Sequence, residues 1–162
     1  ISTVPDAWAD RLGYVTQTTL SLDETAELLQ ALRARFPNIL KPHQNDICYA
    51  TTNRQKAVKA IAAKCDLLMV IGSPNSSNSK RLVEVAKEAG CPCSVLVQTA
   101  GEIDWDKLAD VRTLGITAGA SAPEVLVREV IEELEKHFKI TLSEHVETEE
   151  KVAFPLPESL RK

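Results

Sequence analysis

The apolar run DLLMVI, residues 66–71, constrains the fold of this 162-residue chain more than any other stretch. After its first residue the run contains no polar side chain, so a strand formed there would be buried on both of its faces. Amphipathic helical patterns flank the run at residues 54–64 and 80–90. Buried strands that alternate with such helices predict an α/β layered fold, with a parallel sheet covered by helices on both faces.

The same alternation of short β-type runs and helical patterns extends over most of the chain. The predicted strands are residues 13–17, 47–50, 66–71, 93–97 and 112–116. The predicted helices are residues 21–36, 54–64, 80–90 and 123–138, with a short helical turn at residues 103–111 and a final extended piece at residues 152–156. Ser21 and Glu24 have the spacing of a capping box at the start of the first helix.

Composition narrows the classes of function. With 44% hydrophobic and 26% charged residues, the chain is typical of a soluble globular protein. The net charge of −4 and the pI near 5.4 provide no basic field for nucleic acid or an anionic membrane. No apolar stretch approaches the roughly 18 residues that cross a bilayer, and no leader pattern is present. We therefore expect a cytoplasmic protein that binds a small molecule or another protein. The start at Ile1, without an initiator Met, indicates either a processed N-terminus or a piece of a longer chain.

Polar residues cluster directly after the predicted strands. The segments are TQTTLS at 16–21, ATTNRQ at 50–55, GSPNSSNS at 72–79 and TAGASAP at 117–123. In open α/β sheets these turns share the carboxyl edge, where ligands bind beside helix N-termini. Any single Ser, Thr or Asn there is more often only a helix N-cap. One helix needs one cap, however, and GSPNSSNS offers six candidates, so the surplus predicts an anion site.

The predicted anion site is built mainly from neutral donors. The chain lacks the glycine and lysine spacing of a P-loop and the Gly-x-Gly-x-x-Gly of a dinucleotide fold. Hydroxyls, amides and main-chain N–H groups at a helix start suit a phosphate or a diphosphate. Lys80 and Arg81 lie one step into the helix, where they either assist the anion or are solvated.

The four cysteines differ in what their positions predict. Cys48 falls in the predicted strand 47–50 next to the polar edge, where it is either a small buried residue or a metal ligand. Cys65 lies at the opposite edge and is expected to be structural. Cys91 and Cys93 are separated by one residue, which does not match the spacing of zinc or thioredoxin motifs, so a zinc or redox protein is the weakest interpretation.

Four motifs in order resemble one family. DICYATTNRQKAV, GSPNSSNSKRL, GITAGASAPEVLV and YVTQTTLSLDET are similar to motifs of the 4-hydroxy-3-methylbut-2-enyl diphosphate reductase (LytB/IspH) family. The resemblance implies an iron–sulfur oxidoreductase of the non-mevalonate isoprenoid pathway. It removes the hydroxyl of an allylic diphosphate reductively, with electrons from a donor such as flavodoxin or ferredoxin. It also implies a 4Fe-4S cluster, held by one cysteine from each of three similar α/β lobes.

Carried over by motif, the resemblance implies a role for individual residues. Cys48 would be the third cluster ligand. Thr18 would lie near the substrate hydroxyl and help its protonation, and Thr51 would lie close to the same pocket. The residues implied to grip the diphosphate are Ser76, Ser77, Asn78 and Ser121.

The chain departs from the family pattern because the other two cluster cysteines belong to an N-terminal portion that it does not contain. We therefore predict one complete lobe plus part of a second from a three-lobed protein. Residues 1–44 would end the second lobe, residues 45–142 would form the third, and residues 143–162 would be a C-terminal tail. Alone the chain should be inactive. The alternative is a non-catalytic module that binds phosphate or diphosphate.

Overall fold

A computed structural model describes residues 1–42, 47–148 and 160 of the chain. Its centre is a parallel sheet of three strands, β1 (Leu67–Ile71), β2 (Cys93–Val97) and β3 (Leu114–Ala118). The strand order is β2-β1-β3, so β1 is the central strand. Leu67 pairs with both Cys93 and Leu114, and this register continues to Ile71. The α/β fold class predicted from the sequence is confirmed.

Within the described residues, four α-helices and three 3-10 turns accompany the sheet. The α-helices are α1 (Leu22–Arg35), α2 (Tyr49–Ala62), α3 (Ser77–Glu88) and α4 (Glu124–His137). The 3-10 turns are Asp6–Arg11, Ala100–Glu102 and Trp105–Leu108. The last of these lies inside the helical turn predicted at residues 103–111.

Both faces of β1 are buried, because its five residues are apolar and point alternately to two different cores. Leu68 and Val70 pack with α2 and α3, which contribute Val58 and Leu82. Leu67, Met69 and Ile71 point to the opposite core, which contains Val130 and Leu134 of α4 together with the turn residues Ile103 and Leu108. Helices therefore cover both faces of the sheet, as the continuous apolar run predicts.

The connections bring three helix N-termini to one edge of the sheet. α3 begins shortly after β1 ends, and α4 begins shortly after β3 ends, so both start at the carboxyl edge. α2 ends at Ala62, a short turn before β1 begins, and it packs against α3. Its N-terminus therefore lies at the same edge.

Residues 1–42 are organised differently from the sheet. Gly13, which precedes α1, and Leu40, which follows it, form an isolated parallel bridge. The strand predicted at residues 13–17 is therefore wrong, since a β-type sequence forms a strand only where a partner provides a ladder. Phe36 is buried, yet Val15 and Leu28 are exposed.

The strand predicted at residues 47–50 is also wrong. α2 already begins at Tyr49, and Cys48 is its N-cap with extended backbone angles. Cys48 Sγ accepts a hydrogen bond from the Thr51 N–H at 3.4 Å, and its carbonyl accepts one from the Thr52 N–H at 3.0 Å. The local capping bonds of Cys48 outweigh the β-propensity of Ile47 and Tyr49, which have no neighbouring strand.

Other predicted boundaries shift by a few residues. α3 begins at Ser77 rather than at residue 80, so the last three residues of the predicted serine-rich loop, 77–79, are helix. β3 lies two residues later than predicted, and Pro123 is the N-cap of α4 rather than part of its first turn. Gly90 has a φ of 95° just after α3, as expected of a C-terminal glycine. The extended piece predicted at residues 152–156 lies outside the described residues, and no helix among the described residues could span a membrane.

Candidate functional site

Some hydroxyls of the serine-rich segment after β1 already make hydrogen bonds, either within the turn or as a cap of α3. Ser76 is the N-cap of α3, and its Oγ accepts the N–H of Ser79 at 3.2 Å. Ser73 Oγ accepts the N–H of Asn75 at 3.2 Å, and the Ser73 carbonyl accepts the N–H of Ser76 at 2.9 Å. Helix capping therefore accounts for the Ser76 hydroxyl, and a bond within the turn accounts for that of Ser73. Each remains able to donate its own proton outward.

Two side chains of the first turn of α3 are buried without partners. Asn78 is 6% exposed, and neither its Oδ1 nor its Nδ2 has a hydrogen bond among the described residues. Ser79 is fully buried, and its Oγ is equally unpaired. Leaving a buried polar group unpaired costs about 1–3 kcal/mol, so native proteins seldom keep several together without a use for them. Three such atoms at a helix N-terminus are a strong indication of a ligand site.

The loop after β3 forms the second wall of this site. Gly119 follows β3, and its N–H donates to the Ile71 carbonyl at 2.8 Å, which joins the ends of β1 and β3. A Cβ placed on Gly119 would lie 3.8 Å from Asn78 Nδ2. Ser121 is exposed two residues further on, and Ser77 is exposed on the α3 side. The residues predicted to bind the diphosphate therefore lie on two adjoining walls, one from α3 and one from the loop after β3. We call this set of residues the cradle: Ser76, Ser77, Asn78 and Ser121.

Sequence reasoning missed three residues of the cradle's framework. Ser79 lies between Gly72 and Gly119, and all three are buried. A signal was present, because a glycine follows both β1 and β3 directly. Which side chain occupies the space beside the two glycines depends on the packing of α3 and could not be read from the sequence.

Cys48 presents an exposed thiol at the N-terminus of α2. The Thr51 hydroxyl lies 3.0 Å from Cys48 Sγ, and the Thr51 N–H is the second donor. The hydrogen bond from the Thr51 side chain is the largest influence on the thiol. It lowers the pKa of Cys48, with help from backbone N–H groups and against the opposing effect of desolvation. The arrangement stabilises a thiolate, which is the form that binds metal.

Thr51 is buried, so its hydroxyl faces Cys48 rather than open solvent. Thr18, by contrast, is exposed in a turn before α1. Two residues later, the Leu20 carbonyl accepts a hydrogen bond from Gln55 Nε2 at 2.8 Å, and Gln55 Oε1 accepts the Leu22 N–H at 3.0 Å. Gln55 is one helical turn after Thr51. The Thr18 turn is thus held against the N-terminal half of α2.

The remaining cysteines do not extend a metal site. Cys65 and Cys91 precede β1 and β2, at the opposite edge of the sheet from Cys48, and burial raises the pKa of both thiols. The described part of the chain contains no group of three His, Cys, Asp or Glu side chains that could hold a metal ion. Cys48 therefore fits an iron–sulfur cluster as a single thiolate ligand of a larger set.

A cleft of about 370 Å³ lies away from these residues. Leu67, Met69 and Val97 line it, with Glu102 and Lys107 at its rim. It has no unpaired buried polar atom, unlike the first turn of α3. Chemistry rather than cavity size therefore identifies the cradle as the candidate site.

Comparisons with known proteins agree on one family. The model of the family described as "LytB protein" matches residues 2–135. A 4-hydroxy-3-methylbut-2-enyl diphosphate reductase of Roseobacter denitrificans is 59% identical over 152 residues, which are 93% of this chain and 48% of that protein. A protein named 4-hydroxy-3-methylbut-2-enyl diphosphate reductase 1, from Bradyrhizobium diazoefficiens, is 54% identical over 156 residues, covering 94% of this chain and 47% of that one.

A solved structure supports the same assignment. The E-1-hydroxy-2-methyl-but-2-enyl-4-diphosphate reductase from Plasmodium falciparum superposes with a TM-score of 0.76 at 40% identity. The match covers 81% of this chain and 41% of that one. The chain thus spans about half the length of the curated relatives it matches.

Proposed function

We propose that this chain, which belongs to the LytB family, is the C-terminal part of a 4-hydroxy-3-methylbut-2-enyl diphosphate reductase. The reaction would remove the allylic hydroxyl as water with two electrons and two protons, one taken by the leaving oxygen and one by the carbon skeleton, and give isopentenyl and dimethylallyl diphosphate. This chain would contribute the diphosphate cradle and one cysteine of a 4Fe-4S cluster. The rest of the protein would supply the other ligands, so the chain alone would be inactive.

The observation that carries the proposal is the buried, unpaired amide of Asn78 at the N-terminus of α3. In our proposal, Asn78 Nδ2 donates to a diphosphate oxygen, and the N-terminus of α3 adds the favourable end of the helix dipole. Ser76 keeps its capping bond through its oxygen and donates its proton to the anion. Ser77 and Ser121 donate from the two rims.

Thr18 and Thr51 would serve the other end of the substrate. Thr18 would donate toward the leaving hydroxyl, which needs a proton as the carbon–oxygen bond breaks. The hydrogen bonds of Gln55 support this role, because they hold the Thr18 turn near α2. Thr51 would act beside the substrate chiefly by holding the Cys48 sulfur in place.

Cys48 would be one thiolate ligand of the cluster. The exposed thiol, the two Thr51 donors and the lowered pKa all suit that role. When bound, the cluster would supply the two electrons of the reduction. A cytoplasmic location and an electron donor such as flavodoxin or ferredoxin remain part of the proposal.

The test uses the full-length parent protein, purified and assayed without oxygen. Cys48→Ala should lose most of the bound iron and nearly all reductase activity. Cys93→Ala, in β2 at the other edge of the sheet, should retain both and serves as the matched control. Retention of iron and activity by Cys48→Ala would contradict the assignment.

The second candidate is a non-catalytic module that binds diphosphate. It is favoured by one observation, namely that the cradle is assembled within this chain while only one cysteine faces the same edge. Measurements on the same parent protein distinguish the two functions. A parent protein that binds diphosphate but contains no iron and has no reductase activity would support the non-catalytic module.

A further inference from the structure

The side chain of Ser79 fills a notch between the ends of β1 and β3. Gly72 directly follows β1 and Gly119 directly follows β3. A Cβ on Gly72 would lie 2.3 Å from Ser79 Oγ, and a Cβ on Gly119 would lie 2.2 Å from the same oxygen. Neither glycine has a positive φ, so close approach rather than backbone conformation requires glycine at both positions.

The notch joins the two walls of the cradle. Ser79 follows Asn78 directly in the first turn of α3, while Gly119 lies two residues before Ser121. The position of Ser79 against Gly119 therefore fixes how near the α3 wall stands to the β3 wall. A Cβ on Gly119 would also touch Asn78 Nδ2 at 3.8 Å, which is ordinary contact. Any clash at this point would consequently be relieved by moving Ser79 and the neighbouring Asn78.

We infer that Ser79 and Gly119 act as a spacer that sets the width of the diphosphate cradle, with Ser79 as a positioning residue rather than a catalytic one. The inference rests on the proposed function of the cradle. It adds a positioning residue, Ser79, and a requirement for glycine at position 119, neither of which belongs to the cradle itself. A widened cradle would lose diphosphate affinity, while the reacting end of the substrate, at Thr18 and Cys48, would be less affected.

The two glycines differ in a way that makes the spacer testable. At Gly119, removing Ser79 Oγ would leave the Ser79 Cβ at 3.4 Å from a new Cβ, which is close to ordinary contact. At Gly72, the Ser79 Cβ would remain at 2.9 Å, so the clash would persist. Ser79→Ala should therefore rescue Gly119→Ala but not Gly72→Ala.

The experiment measures kcat, KM and the inhibition constant of inorganic diphosphate for the full-length parent holoenzyme. Gly119→Ala should raise KM and the inhibition constant by about tenfold or more while kcat changes by less than about threefold. The double variant Gly119→Ala/Ser79→Ala should return both constants to within about threefold of the wild type. Gly72→Ala/Ser79→Ala should stay impaired. Melting temperatures of all variants identify any that fail to fold.

Each other outcome has a defined meaning. Wild-type diphosphate affinity in Gly119→Ala would overturn the spacer. So would a failure of Ser79→Ala to rescue it in a folded double variant. Coupling between positions 79 and 119 in melting temperature alone, without an effect on diphosphate, would reduce Ser79 to a packing role. If the wild type itself binds no diphosphate, the proposed function fails first, and the spacer fails with it.

Discussion

Two parts of the chain, residues 1–42 and residues 47–137, are each stabilised by different interactions. The second part has a parallel sheet with continuous apolar cores on both faces. The first has one isolated bridge and leaves large apolar side chains such as Val15 and Leu40 exposed. Its attachment to the sheet unit relies on polar contacts made by Gln55, Lys59 and Arg81.

This difference shows which part of the chain has a hydrophobic core of its own. The cradle lies wholly within the part that has a core. The segment that carries Thr18 has apolar surface left over, as a piece of a lobe would have. The division into a partial second lobe at residues 1–44 and a third lobe at residues 45–142 stays a prediction.

The largest expected effect comes from the core. Leu68→Ala, at a site with 0% exposure, should lower the free energy of unfolding by about 2–5 kcal/mol, because it leaves a cavity between β1 and the helices α2 and α3. Leu28→Ala, at a site that is 51% exposed on α1, should change it by less than about 0.5 kcal/mol. Urea denaturation measures both. Similar losses for the two variants would erase the contrast between the regions.

The next effect concerns the attachment of the N-terminal segment. Gln55→Leu should leave the Leu20 carbonyl and the Leu22 N–H without their partner, at a cost of about 1–3 kcal/mol. Hydrogen exchange should quicken in α1 and in the Thr18 turn, with little change in β1. Lys56→Ala, at the neighbouring exposed position, is the control and should leave exchange unaltered. Faster exchange throughout the sheet would mean that the two regions unfold together.

A smaller effect is expected from the ion pair between the two regions. Arg81 contacts Glu24 of α1 at 2.8 Å and Glu84 of its own helix at 2.8 Å. Glu24→Gln should cost about 0.2–1 kcal/mol in low salt, because both partners are partly solvated, and less in high salt. Glu84→Gln keeps the contact to α1 and serves for comparison. A loss that does not depend on salt would point to packing rather than charge.

The smallest effect is a pH-dependent one inside the sheet unit. Asp66 Oδ2 accepts the N–H groups of Arg112 and Thr113 at 2.9 and 2.8 Å. These backbone bonds, that of Thr113 first, lower the pKa of Asp66 in the folded state. Its stabilising contribution is therefore present above the unfolded pKa of about 3.9 and is lost as the pH falls through the lower folded value. The wild type should melt above Asp66→Asn at neutral pH, and the gap should close in acid; a gap that widened in acid would contradict this.

The sequence predicted those elements whose signal is local. The run at residues 66–71 and the helix at residues 123–138 carry enough apolar residues in a regular pattern to fix their structure. The predicted strands at 13–17 and 47–50 failed because a strand also needs a neighbour. Residue 13 finds only a single bridge, and at Cys48 a side-chain cap provides a local alternative.

The same distinction between local signals and those that depend on distant parts of the chain applies to the candidate site. An excess of polar residues after β1 was visible in the sequence and predicted an anion site in the segment at residues 72–79. The choice of Ser76, Ser77 and Asn78 within that segment came from the resemblance to one family. The burial of Asn78 and the notch around Ser79 were not visible, since both depend on Gly119, which lies 40 residues further along the chain. The likeness of four motifs to one family carried the assignment further than local chemistry alone could.

The most direct test of the account is a titration of the isotope-labelled 162-residue chain with inorganic diphosphate, followed by the NMR shifts of its backbone amides. The account predicts that the largest shifts occur at Ser76–Ser79 and Gly119–Ser121, and that they disappear in Asn78→Asp, which has the same size but repels the anion. Shifts that are absent from these residues in the folded chain, or that survive in Asn78→Asp, would contradict a diphosphate cradle at this edge of the sheet.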